Sequence, residues 1–128
     1  MNLQDATIAQ LLIPVDDLDR GVAFYGDVLG LTFLFTAPPR MAFFDCGGVR
    51  LLVGVPPEGQ AVQRGSATYF RVPDIGAVFS TLEKAGVSFM SEPHLVHRTA
   101  SSQLWPSEFR DPFGNQLALM GEVNADAI

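Results

Sequence analysis

The chain has 128 residues, about the usual size of one domain and enough to bury roughly two-thirds of the surface its unfolded form exposes. Its apolar share of 48% is that of a globular protein, and no apolar run approaches the ~20 residues of a membrane helix, which argues against membrane insertion. The net charge of −6 opposes contact with a nucleic-acid backbone and suits neutral or cationic ligands, while Cys46 alone excludes an internal disulfide and any C-x-x-C site.

The opening "MNLQDATIAQ" has no basic segment ahead of an apolar core, so no signal peptide and a cytoplasmic location are expected. A strand-like run through "QLLIPV" leads to Asp17, a suitable N-cap, followed by Leu18, Val22, Tyr25 and Leu29 at helical spacing. Gly30 suits the left-handed position after that helix. "LTFLF" at 31–35 reads as a strand, and "FDCGGVRLLVGV" at 44–55 as strand, glycine turn and strand. "VPPEGQAVQRG" at 55–65 is a polar, proline-bearing link.

The pattern then repeats. "ATYFRVPDI" at 67–75 matches "QLLIPVDDL" at 10–18, pairing Gln10 with Ala67, Val15 with Val72, Asp17 with Asp74 and Leu18 with Ile75. Ile75, Val78, Phe79 and Leu82 make a one-sided helix that Gly86 closes, "VSFM" at 87–90 reads as a strand, and "FRDPFGNQLALMGEV" at 109–123 repeats the strand, turn and strand. Setting Gly47 over Gly114 places Leu51 over Ala118. The expected fold is α+β, with two βαβββ modules forming a curved, barrel-like mixed sheet with a cleft. Module one spans about 6–54, the link 55–65, module two about 66–121, and 122–128 is a frayed tail, all within one domain.

At "QLLIPVDDLDRGVAFYGDVLGL" and "DPFGNQLAL" the chain resembles the vicinal oxygen chelate superfamily, which includes glyoxalase I, bleomycin-resistance proteins and extradiol dioxygenases. The resemblance covers about residues 8–121 and implies dimers of βαβββ modules around open clefts. It also implies a divalent metal in some members, held at positions that fall here on Gln10, Leu51, Ala67 and Ala118. Leucine and alanine offer no donor, so no metal and no other cofactor is expected. Strand parity adds Leu12, Val53, Tyr69 and Met120 to the same inward face.

Other candidates read more simply as structure. His94 and His97, three apart in an extended segment, do not make a metal pair; His97 with Arg98 is the better ligand contact, to a carboxylate or polar group. Asp16, Asp17 and Asp19 belong to a helix start, Cys46 is a structural thiol, and "GG" and "FGN" are hairpin turns. Most of the aromatic side chains are expected in the core, with Tyr69 facing the cleft and Trp105 at its rim, able to stack on a planar ligand.

Three readings of function follow. The first is a metal-independent small-molecule-binding protein of the glyoxalase/bleomycin-resistance type, with a ligand-binding cleft of Gln10, Leu12, Leu51, Val53, Ala67, Tyr69, His97, Arg98, Trp105, Ala118 and Met120, and a planar or cationic ligand. The second is a glyoxalase-like lyase or isomerase with a non-standard site, resting on Gln10 and His97. The third is an assembly component whose cleft is vestigial. A homodimer is expected, since open sheet edges need cover.

Overall fold

Asp17 starts the first helix as a cap: its backbone is extended (φ −145°, ψ 115°) and its carboxylate accepts from Arg20 N at 3.0 Å. The structure is a computed structural model in which residues 2–59 and 65–124 are described. Residues 60–64 of the expected link and 125–128 of the expected tail lie outside the described residues. The chain divides into two compact units, Met1–Arg64 and Gly65–Ile128.

In the first unit, α1 (Leu18–Val22) continues as a π-helical segment, Ala23–Val28, where Leu29 N donates to Phe24 O at 2.9 Å. Phe24 and Tyr25, neighbours in sequence, are both buried there. The helix covers a mixed sheet of β1 (Gln10–Pro14), β2 (Thr32–Ala37), β3 (Met41–Cys46) and β4 (Val49–Gly54), in the order β1-β4-β3-β2. β1 lies parallel to β4; the other pairs are antiparallel. Ile13, Val15, Ala42, Phe44, Leu51 and Val53 form the core under the helix, with the Tyr25 and Phe44 rings 6.4 Å apart.

The second unit repeats this plan. Asp74 is again an extended cap, accepting from Ala77 N at 3.1 Å, and α2 (Ile75–Lys84) ends before Gly86 at φ +94°. The sheet comprises β5 (Thr68–Arg71), β6 (Ser88–Phe89), β8 (Ser102–Arg110) and β9 (Gln116–Asn124), in the order β5-β9-β8-β6. A further short strand, β7 (His97–Arg98), pairs with β8 and has no counterpart in the sequence reading. Leu82, Val87, Phe109, Leu117 and Leu119 are buried, and Phe89 lies between Phe79 and Phe109 with ring centroids 4.4 and 5.2 Å away. The fold is α+β, with two helices and two mixed sheets, neither of them closed.

One alignment shifts by a residue. Val15 N donates to Gly54 O at 2.9 Å and Val72 N to Met120 O at 3.0 Å, so Gly54 corresponds to Met120. Counting back, Gly48 (φ +90°) rather than Gly47 matches Gly114 (φ +88°), and Leu52 rather than Leu51 matches Ala118. Both glycines of "CGG" have positive φ, so the sequence alone offered two registers.

Candidate functional site

Each sheet has one face under its own helix and one that its helix does not cover. In the first unit the uncovered face carries cross-strand rows read from the register: Gln10, Arg50 and Asp45 in one, Leu12, Leu52 and Phe43 in the next. Phe35 stacks on Phe43 with centroids 4.5 Å apart, and the Arg50 guanidinium carbon lies 5.8 Å from the centre of the Phe43 ring, within cation–π reach. Leu12 is exposed and Leu52 half-buried. The result is an aromatic and aliphatic face with an amide, a guanidinium and the Asp45 carboxylate in its end row.

Leu51 and Val53 are not on this surface. They pair with Leu11 and Ile13, point beneath the helix, and are 1% and 0% exposed. The one-residue register shift is the cause, because side chains alternate faces along a strand and a shift of one exchanges them all.

In the second unit the uncovered face holds the row Tyr69, Ala118 and Glu108, followed by Arg71, Met120 and Pro106. Ala67 directly precedes β5 and is half-buried. Tyr69 is 50% exposed, whereas Ala118 is fully buried. Arg71 and Glu122 form an exposed ion pair at 2.9 Å. Glu108 is half-buried; its Oε2 accepts from Ser91 Oγ, which in turn accepts from Glu108 N at 3.3 Å, and Ser107 Oγ donates to Ser91 O at 2.7 Å.

His97 and Arg98 do not act as a pair. His97 lies opposite Leu104 and Arg98 opposite Gln103, so as strand neighbours they project to opposite faces. The ring of His94 is within hydrogen-bond distance of its near neighbour Glu92, Nδ1 to O 2.9 Å. Trp105 is a strand residue facing α2 rather than a rim residue: it lies opposite Gly121, a Cβ on which would meet Ile75 of α2 at 2.9 Å, and its indole donates to Gln103 Oε1 at 3.0 Å. Burial, with a smaller push from the Asp45 carboxylate, raises the Cys46 thiol above its ordinary range and so favours the protonated form.

With the corrected register, the four positions implied by the resemblance become Gln10, Leu52, Ala67 and Ala118. Gln10 has Arg50 and Leu52 as its neighbours on β4, and a guanidinium repels a cation. Among the described residues no group of three or more His, Cys, Asp or Glu side chains is placed to hold a metal. An amide oxygen and the Asp45 carboxylate on the far side of the Arg50 strand, with that fixed positive charge between them, do not fit a divalent ion, which needs several converging nitrogen, oxygen or sulfur donors.

Sequence reasoning missed Arg50, Leu52, Phe43 and Glu108 as members of these faces. The signal for Glu108 was present: the hairpin around Phe113 pairs residues whose numbers mirror one another, which brings Glu108 across from Ala118.

A model of the Glyoxalase/Bleomycin resistance protein/Dioxygenase superfamily matches residues 7–119. A comparison with curated proteins gives no match. Among solved structures, the chain is similar to lactoylglutathione lyase from Agrobacterium tumefaciens, at 25% identity over 91% of this chain and 93% of that one, with a TM-score of 0.73. It also shares its fold with a superfamily member from Sphaerobacter thermophilus (23% identity, 91% and 97% covered, TM-score 0.75) and with a glyoxalase/dioxygenase from Nostoc punctiforme (18% identity, 96% and 95% covered, TM-score 0.74).

Proposed function

The chain belongs to the glyoxalase/bleomycin resistance protein/dioxygenase superfamily, and on that premise we propose that it is a metal-independent small-molecule-binding protein of the glyoxalase/bleomycin-resistance type. The observation that carries this reading is the equivalence of Leu52 and Ala118. These two residues occupy the same place in the two modules, on the face away from each helix, and neither can ligate a metal or move a proton. Apolar burial and stacking on Phe35 and Phe43 of the first unit then supply the affinity, and polar groups of the same face such as Gln10 and Arg50 set the orientation.

A thermal-shift screen over planar, cationic and aromatic compounds tests it. A binder raises Tm in proportion to the logarithm of its excess over Kd; a library with no such compound defeats the reading. The protein is expected to work in the cytoplasm as a homodimer in which a second copy covers open sheet edges. Light scattering that gives a monomer mass at micromolar concentration overturns the dimer.

The likeness to the lactoylglutathione lyase structure supports a second reading, a glyoxalase-like lyase or isomerase with a non-standard site. A lyase activity that disappears in Gln10→Ala puts that reading first. Activity unchanged in both Gln10→Ala and His97→Ala removes the residues on which it rests.

A further inference from the structure

We propose that Glu108 is the counter-ion of an organic cation, held on the second unit's uncovered face beside Tyr69 and Met90. The inference rests on the small-molecule reading above and names the ligand class of one surface. The register sets Tyr69, Ala118 and Glu108 in one row across β5, β9 and β8, and Met90 N donates to Glu108 O at 2.8 Å at the end of that row. Strands about 4.8 Å apart place the backbones of Tyr69 and Glu108 two strand spacings from one another, with the fully buried Ala118 between them.

Three features point to a cation. Glu108 is half-buried, and Ser91 fixes it through both its Oε2 and its backbone N, so the carboxylate is oriented before anything binds. Among the described residues its Oε1 has no partner, and a partly desolvated carboxylate oxygen gains most from a charged donor. The nearby cations are otherwise engaged: Arg71 pairs with Glu122 at 2.9 Å, and Arg110 reaches back to Gly114 O at 3.4 Å. Tyr69 and Met90, 50% and 49% exposed, supply an aromatic face and a polarisable thioether for the apolar body of such a ligand. The ligand class is therefore a protonated amine on a flat or aromatic frame.

The test is a titration of the ¹⁵N-labelled full chain with benzylammonium chloride and, separately, with benzyl alcohol, which has the same frame without the charge. Benzylammonium is expected to move the amide signals of Glu108, Ala118 and Tyr69 and to bind about ten-fold more tightly than the alcohol, as a charge-assisted hydrogen bond implies. Glu108→Gln keeps the shape and removes the charge, and should abolish that preference while leaving the other amide signals in place. Ser91→Ala frees the carboxylate without removing it, and should weaken benzylammonium binding by a smaller factor. Equal affinity for the two probes, or a preference that survives Glu108→Gln, overturns the assignment. If neither probe moves these signals while the wider screen finds a neutral binder, the cation site fails and the small-molecule reading stands. If no compound of any charge binds, both fail.

Discussion

The carboxylate of Asp111 and the side-chain amide of Asn115 hydrogen-bond at 2.7 Å across the turn between β8 and β9, both of them buried. Asp111 Oδ1 also accepts from Phe113 N at 2.9 Å and Asn115 N at 2.8 Å, and Asp111 N donates to Asn115 O at 3.0 Å. The "DPFGN" stretch is thus a locked hairpin turn, with Gly114 at φ +88° completing it. Asn115→Ala leaves the Asp111 carboxylate short of a buried donor and should destabilise the second unit by about 1–3 kcal/mol. Chemical denaturation read by hydrogen exchange of β8 and β9 amides checks it, and no change in ligand affinity is expected.

Gly21 is the point where α1 meets its sheet. A Cβ there would sit 2.9 Å from Val53 Cγ1 and 3.3 Å from Val15 Cγ2, and both valines are fully buried, so neither can yield. Gly21→Ala should therefore destabilise by about 1–3 kcal/mol of overpacking, less about 1 kcal/mol from alanine's better helix propensity. Gly26 is the control. Its added Cβ would meet only the Phe44 ring, Cε1 at 3.3 Å and Cζ at 3.9 Å, so Gly26→Ala should be milder. Urea midpoints of the two variants, compared at equal slope, decide the point.

What the sequence made legible follows from signals that act locally. Asp17 and Asp74 cap as their residue type suggests, and Gly30 and Gly86 take positive φ after the helices, because a cap or a left-handed turn depends on a few neighbouring atoms. The face of β4 was not legible. Its phase had to be counted through two glycines that both adopt positive φ, and one residue of error moved Leu51 and Val53 from the buried face to the wrong one. Glu108 was legible only by counting across the hairpin about Phe113, which sets it opposite a partner ten residues away. His97 and Arg98 failed as a pair because an extended chain, here β7, sends adjacent side chains to opposite faces.

Gln10 provides a metal prediction. Its uncovered-face neighbours on β4 are a guanidinium and a leucine, and in the second unit the positions equivalent to Gln10 and Leu52 are Ala67 and Ala118. Untagged protein incubated with zinc, nickel, manganese and iron and then dialysed should retain no stoichiometric metal by elemental analysis. Retention would show that the donor positions are misassigned, and the lyase reading would move ahead of the binding reading.

Cys46 gives a pH prediction whose sign is fixed by its surroundings. Burial first, then the Asp45 carboxylate, disfavours the thiolate in the folded chain, so the folded pKa lies above the unfolded one. Below the unfolded value both states carry the thiol and stability does not depend on this group. As pH rises through that value the unfolded chain loses its proton first and stability falls, until the folded thiol ionises as well and the loss levels off. Cys46→Ala should remove that alkaline slope while leaving the neutral-pH profile parallel to that of the parent chain. Urea midpoints of the two proteins at neutral pH and at pH about 10 measure the difference. Alkylation by iodoacetamide at neutral pH should also be slower in the native chain than in the same chain in denaturant, since the thiolate is the reacting form. Faster native alkylation would mean that Cys46 is activated, and would make it a candidate nucleophile rather than a packed thiol.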